Sequence, residues 1–174
     1  MKLAVVLDNI RSVHNVGSIF RTADAVGAEK IYCCGITPSP LDRFKNVRAD
    51  FAKVALGAEK SVAWEAGAST KDIGEVLAAL KKDGWQIFAI EQAENSVPYY
   101  EVVPGGGGGD AEAKIAFVLG AEVEGVSATA LALADKILEI PMRGKKESLN
   151  VAVAFGVVAF EYAKISIKWH GEKK

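Results

Sequence analysis

Cysteine is scarce in this chain: Cys33 and Cys34 are the only two among 174 residues, and they are neighbours inside an apolar stretch. A disulfide framework needs separated pairs, so a disulfide-built scaffold is excluded and a reducing, cytoplasmic setting is expected. Long apolar runs are also missing, and none approaches the roughly 18 residues that span a bilayer. The opening MKLAVVLDNIR has one Lys and a short apolar run cut off by Asp8. It is too short for a signal peptide and reads as a first β-strand. Histidine is limited to His14 and His170, which lack metal-ligand spacing, so no metal site is expected. A glycine fingerprint for phosphates is absent after Leu7, which counts against a flavodoxin-like nucleotide binder. Nor is there a large excess of charge of one sign: the formal net charge is −1.

What is present points to a folded enzyme-sized unit. Half of the residues are apolar and a quarter are charged, too apolar a mixture for a disordered chain. One domain of this length buries roughly 70% of its unfolded surface. The small net charge hides a segregation. Residues 1–60 hold 9 basic and 6 acidic groups, residues 61–139 hold 5 and 13, and residues 140–174 hold 7 and 3. Two basic ends flank an acidic middle, and a face formed by both ends could hold phosphates. Chance segregation on a solvated surface is the competing reading.

Strand-like and helix-like segments alternate. Leu3–Leu7 reads as a strand, and Asn15 as the cap of a helix with Val16, Ile19, Phe20 and Ala23 on one face, ended by Gly27. Lys30–Cys34 is a second strand, and residues 35–53 form a long, basic loop with room for a helical turn. Ser61–Trp64 is a candidate strand, Thr70–Lys82 an amphipathic helix stopped by Gly84, and Trp85–Ile90 and Lys114–Leu119 are apolar strands. Gly105–Gly109 reads as a connector, because it precedes a strand and opens no helix. A short helix near Ser127–Ala134, a strand at Ile137–Ile140 and a long helix from Ser148 to about Trp169 complete the chain. The last helix is apolar on every side over Val151–Phe160, which requires burial all round, deep in the domain or partly against a second copy. The alternation predicts a mainly parallel α/β sheet.

Three connections carry polar groups suited to chemistry. NVGSIFRTA, at 15–23, sits where the first strand passes into the first helix, and ligands of open α/β sheets bind at such carboxyl ends. Arg21 lies opposite Ile19 and Ala23, with Asn15 near enough in sequence to orient it; the plainer reading pairs Arg21 with Asp24. LGAEVEG, at 119–125, offers two glycines through which the backbone can approach a ligand, with Glu122 and Glu124 as acidic groups or simply as solvated ones. IPMRGKKESLN, at 140–150, combines a basic cluster with Ser148 and Asn150 at the start of the last helix, where Ser148 would be a plain N-cap.

Together, in this order and spacing, the three segments resemble those of SpoU-type, TrmH-like RNA 2′-O-ribose methyltransferases of the SPOUT, or α/β-knot, superfamily. The family motifs N-x-G-x-x-x-R-T-A, L-G-x-E-x-x-G and I-P-M-x-G-x-x-x-S-L-N-V stand here at 15–23, 119–125 and 140–151. The resemblance covers essentially the whole chain. It implies a Rossmann-like, mainly parallel sheet with a C-terminal deep trefoil knot, a homodimer, and S-adenosylmethionine as methyl donor with S-adenosylhomocysteine as product. It further implies that Leu119, Gly120, Glu122, Ile140, Met142 and Leu149 surround the cofactor. Arg21, Asn15, Ser148, Asn150 and Glu122 would be the active-site set.

The reaction this implies is methyl transfer to a ribose 2′-hydroxyl, with tRNA the first expected substrate and rRNA the next. Two roles stand for Arg21: general base, or anchor of the target phosphate and developing alkoxide. The second is chemically easier, because a guanidinium keeps its proton to a pKa above ~12. With residues 1–174 read as the catalytic domain alone, without a separate RNA-binding domain, RNA contacts fall to Arg43, Lys45, Arg48 and Lys53 in the 38–53 loop. The short tail with Lys164, Lys168, Lys173 and Lys174 would assist. No membrane or metal partner is expected. The alternative from another class is a catalytically silent knotted module that binds RNA or cofactor. Trp64, Trp85 and Trp169 read as core or interface residues, and Cys33 and Cys34 as strand positions.

Overall fold

The structure, a computed structural model, describes residues 1–66, 72–105 and 112–166. Among the described residues seven strands form one sheet: β1 Lys2–Asp8, β2 Lys30–Cys34, β3 Ala63–Ala66, β4 Gln86–Ile90, β5 Val97–Pro98, β6 Lys114–Leu119 and β7 Lys136–Glu139. Their spatial order is β3-β2-β1-β6-β4-β7-β5, and every neighbouring pair is parallel. Parallel strands are covered on both faces, which is why β1 and β6 are almost continuous apolar runs. Alternate side chains feed two cores. Leu3, Val5, Leu7, Phe88, Ile115, Phe117 and Leu119 point into one, and Ala4, Val6, Ile87, Ala89, Ala116 and Val118 into the other.

Helices complete three layers. α1 Val13–Ala25, α2 Ala49–Ala55, the single turn α3 Ala58–Ser61 and α6 Val151–Ser166 cover the first core, while α4 Ile73–Lys82 and α5 Ala128–Leu133 cover the second. Phe20 of α1 meets Phe51 of α2 edge to face, with ring centroids 5.1 Å apart. Phe117 of β6 meets Phe155 and Tyr162 of α6 in the same manner. Cys33 and Cys34 are buried and unbridged in β2, and burial, followed by the neighbouring Cys34, pushes the Cys33 thiol up to about 12.

Most elements fall where the pattern places them, and the departures have local causes. The first helix is capped by Ser12, whose Oγ accepts the Asn15 amide at 3.2 Å. Asn15 therefore lies inside the first turn and its side chain is not a cap. The 35–53 segment is more ordered than a loop: an antiparallel bridge joins Leu41 to Val47, and α2 begins at Ala49. Around residue 61 the chain first makes α3 and then β3, so the strand lies two residues later than Ser61–Trp64. The last helix begins at Val151, with Asn150 rather than Ser148 at its cap: Asn150 Oδ1 accepts the Ala152 amide at 2.9 Å.

That last helix is not buried all round. Phe155, Val158, Ala159, Tyr162 and Ala163 enter the core, whereas Val153, Val157 and Phe160 form an exposed stripe. Gly106–Gly109, Trp169, His170 and Lys168, Lys173 and Lys174 lie outside the described residues. Among the described residues no helix is long and apolar enough to cross a membrane.

Candidate functional site

The carboxyl ends of β1, β4, β6 and β7 open toward the same end of the sheet, as parallel pairing requires. Each of the three motif segments leaves one of these strand ends or starts the helix that follows. Side-chain hydrogen bonds join all three there. Asn15 Nδ2 donates to Glu122 Oε1 at 2.5 Å, and Asn150 Nδ2 donates to Asn15 Oδ1 at 3.0 Å. One asparagine thus links the first segment to the second and to the third. Asn150 performs two tasks, because the same side chain caps α6 through its Oδ1. Beside this chain, Arg11 pairs with Glu124 at 3.3 Å, a second exposed tie between the β1–α1 connection and the 119–125 turn.

Next to these groups lies a cavity of about 530 Å³, within the size range of small-molecule sites. Leu119, Gly120, Glu122, Ile140, Met142 and Leu149, the six residues expected around a cofactor, all line it, and so do Ser148 and Asn150. The turn over its mouth is built on close backbone approach. Ala121 and Gly125 exchange both backbone hydrogen bonds, at 3.1 and 3.0 Å. A Cβ on Gly120 would collide with the Gly125 carbonyl and the Val126 nitrogen, and Gly125 itself has φ +70°. Only glycine fits both positions.

Glu91 is a site residue that the pattern reading missed. It follows β4 directly and lines the cavity. Its Oε2 accepts the Val126 amide at 2.8 Å, and its Oε1 accepts the Gln92 amide at 2.9 Å. The carboxylate therefore clamps the far side of the 119–125 turn. An acid immediately after an apolar strand, at the end where ligands bind, was the available signal. Asp8 does comparable work at the end of β1: it is buried, and its carboxylate accepts the Ser127 amide at 2.8 Å and Asn9 Nδ2 at 2.9 Å.

Arg21 projects from α1 into solvent, opposite the buried Ile19 and Ala23. It does not pair with Asp24, whose carboxylate instead accepts Ser61 Oγ. Nor does Asn15 orient it: the Asn15 amide bonds Glu122 and Asn150 instead, keeping one N–H and one oxygen lone pair for a further partner. Among the described residues Arg21 has no hydrogen-bond or ion-pair partner, so its guanidinium is available to an external anion.

The four loop cations divide. Arg43, Lys45 and Lys53 are exposed, whereas half-buried Arg48 is held by both oxygens of Asp50, at 3.2 and 2.9 Å. That side-chain pairing pulls the Asp50 carboxyl below its ordinary range. Trp64 packs against the core and donates Nε1 to the Glu59 carbonyl at 3.2 Å. Lys164 pairs with Glu161, and His14 is exposed. Among the described residues no three His, Cys, Asp or Glu side chains gather as metal ligands.

The sequence profile of the SpoU rRNA Methylase family matches residues 2–160. The chain belongs to this family. It is 35% identical over 160 residues to the 23S rRNA (guanosine-2′-O-)-methyltransferase RlmB of Ralstonia nicotianae, covering 91% of this chain and 57% of that protein. To the tRNA (guanosine(18)-2′-O)-methyltransferase of Escherichia coli K12 it is 33% identical over 159 residues, covering 91% and 62%. The chain thus spans about three-fifths of the length of these two relatives. Among solved structures, the A. aeolicus TrmH/SpoU tRNA modifying enzyme superimposes with a TM-score of 0.76 at 31% identity, over 94% of this chain and 74% of that one.

Proposed function

We propose that this SpoU-family chain transfers the methyl group of S-adenosylmethionine to a ribose 2′-hydroxyl of RNA, with tRNA the preferred substrate class and rRNA the next. The observation that carries the reading is the Glu122–Asn15–Asn150 hydrogen-bond chain at the mouth of the Gly120–Gly125 cavity. The cavity suits the donor chemically. Leu119, Ile140, Met142 and Leu149 offer apolar walls for a purine and a methylene chain, while Glu91 and Glu122 bring carboxylates suited to hydroxyl and cationic groups. When bound, S-adenosylmethionine supplies a methyl group already activated on a sulfonium.

What remains for the protein is alignment and charge. Alignment of two reactants alone supplies much of a barrier reduction. In this reading Asn15, Asn150 and Ser148 hold the ribose at the cavity mouth. The free guanidinium of Arg21 binds the target phosphate and stabilises the alkoxide as it develops. The anchoring role is the one we assign to Arg21, since a general base must be deprotonated at working pH and a guanidinium is not.

The partner relationship is part of the same proposal. The exposed Val153, Val157 and Phe160 stripe suits burial against a second copy, and a homodimer is the assembly it supports. Threading of the C-terminal segment into a knot fits a last helix that packs on α1 while its cap closes the site. The buried cysteines, which form no disulfide, suit a reducing, cytoplasmic setting.

The test is methyl transfer from labelled S-adenosylmethionine to unmodified bulk tRNA and, separately, rRNA. The product is digested with alkali, which cannot cut beside a 2′-O-methyl ribose. Label in alkali-resistant dinucleotides, lost in Arg21→Ala, is the expected result. Cofactor binding with no transfer to either RNA would replace the reading with a silent binding module.

A further inference from the structure

The connection from β2 to α2 carries an aromatic group that the motif site does not use. Phe44 is 69% exposed, yet the turn that presents it is firmly built. Asp42 Oδ1 accepts the backbone amides of Phe44 and Asn46 at 2.8 and 2.9 Å. The Asp42 amide donates to the Asn46 carbonyl at 2.9 Å, and the Lys45 amide to the Asp42 carbonyl at 3.0 Å. Lys45 adopts φ +65°, a left-handed conformation that these bonds impose on a non-glycine residue. The Leu41–Val47 bridge closes the base of the turn. Phe44 is therefore held out in water by a preorganised polar frame, where burial of its ring would otherwise be favourable.

Charge surrounds the ring. The Arg43 guanidinium lies over it, 4.6 Å from the centroid. Arg43, exposed Lys45 and exposed Lys53 have no ion-pair partner among the described residues. An exposed aromatic face flanked by free cations matches a polyanion that carries flat apolar groups: the phosphates meet the cations and a base meets the ring.

The frame is also rooted beside the candidate site at both ends. At its start, Thr37 Oγ1 donates to the Leu7 carbonyl at 3.2 Å and accepts the Ile10 amide at 3.1 Å, while Asn9 Oδ1 accepts the Ile36 amide at 3.2 Å. All three bonds tie it to the carboxyl end of β1. At its finish, α2 packs on α1, the helix that carries Asn15 and Arg21, through Phe51 on Phe20 and Val54 against Gly17.

We propose that Phe44, with Arg43, is a stacking platform for an unpaired nucleobase of the RNA substrate, placed so that it selects which single-stranded segment reaches the site. This rests on the RNA-methylating reading and names a contact to its substrate. A stacking platform accepts any base, so it sets strand presentation and leaves base identity to other contacts.

The test uses the full chain and two labelled probes, unmodified bulk tRNA and unmodified rRNA, bound to wild type, Phe44→Ala, Phe44→Trp and Val47→Ala. Val47 is 55% exposed in the same turn and serves as the control for loss of any apolar group there. Phe44→Ala is expected to weaken RNA binding, and to raise the KM for RNA, by roughly 5- to 100-fold, the range seen when a stacking aromatic is truncated. S-adenosylmethionine affinity and melting temperature should stay at wild-type values. Phe44→Trp should restore binding, and Val47→Ala should resemble wild type. Equal RNA binding by wild type and Phe44→Ala would overturn the platform. So would conversion of a dimer to monomer by Phe44→Ala, which would make the ring a subunit contact. Wild type that binds RNA in a Phe44-dependent manner but transfers no methyl group would sustain the platform and remove the catalytic reading. Wild type that binds neither RNA would remove both.

Discussion

Asn15 donates its side-chain amide to Glu122 across 2.5 Å and 107 positions of sequence. This contact joins the first helix to the turn after β6, and the reciprocal acceptance of Asn150 at 3.0 Å adds the cap of the last helix. Asn15→Ala should leave the fold intact, because Ser12 and not Asn15 caps α1. Methyl transfer should fall on the order of 10²-fold, as expected when a small misplacement spoils an aligned site. A double-mutant cycle with Glu122→Ala should return a non-additive coupling, since the two groups touch. Additive losses would mean that the contact has no part in activity.

Arg21→Ala should abolish or reduce transfer by roughly 10²–10³-fold, the cost of removing a preorganised charge-stabilising group. Binding of S-adenosylhomocysteine should persist, because Arg21 does not line the cavity. Arg21→Lys separates the two roles. An anchor replaced by another cation keeps part of the activity with an unchanged pH profile, whereas a base replaced by lysine shifts the profile.

Glu91→Ala strips the acceptor from the buried Val126 amide, which should cost about 1–3 kcal/mol of local stability. The 119–125 turn loosens and cofactor affinity falls before RNA affinity does. Glu91→Gln keeps a carbonyl acceptor and should recover much of the loss. Isothermal titration with S-adenosylhomocysteine, run beside RNA binding, distinguishes this from general unfolding.

Val157→Lys and Phe160→Lys place charge in the exposed stripe of α6 without touching the core face. Both should shift the light-scattering mass from dimer to monomer. A wild-type protein that is already a monomer across the micromolar range would exclude the proposed pairing.

Stability should decline on the alkaline side. Burial raises the Cys33 thiol to about 12, and burial with Glu161 nearby raises the Tyr162 hydroxyl to about 12. Between roughly pH 9 and 12 the unfolded chain has lost these protons and the folded chain has kept them, so stability falls as pH rises. Melting temperatures at pH 8 and pH 10.5 should show the drop, and Cys33→Ala should reduce it. The native thiols should also resist alkylation at neutral pH.

Much of this arrangement is legible in the sequence because the signals are local. Continuous apolar runs mark β1, β4 and β6, and Gly27 at φ +72° and Gly84 at φ +81° end their helices as expected. The three motif segments carry their own spacing. What escaped is what depends on distant partners. Whether Ser12 or Asn15 caps α1 turns on which side chain is claimed elsewhere, and Glu122 lies 107 residues away. Ser148 and Asn150 are both chemically good caps, and the choice falls on Asn150 because its amide must also face Asn15. Likewise the turn at 41–47 is fixed by Asp42, whose carboxyl is held below its ordinary range by the Asn46 and Phe44 amides. Such an arrangement has no periodicity to reveal it.

The double duty of Asn150 bears on how the protein comes into being. A chain emerging from the ribosome holds Asn15 early and Glu122 later, but the third corner arrives only with the helix that Asn150 begins. Until Val151 onward docks on the sheet, Asn150 has no fixed direction and the cavity lacks its Leu149 and Val151 wall. The helix that Asn150 begins is thus also the latch of the proposed working centre. A chain cut before Asn150 would be inert toward its substrate, and competence would appear in one step with the docking of this helix.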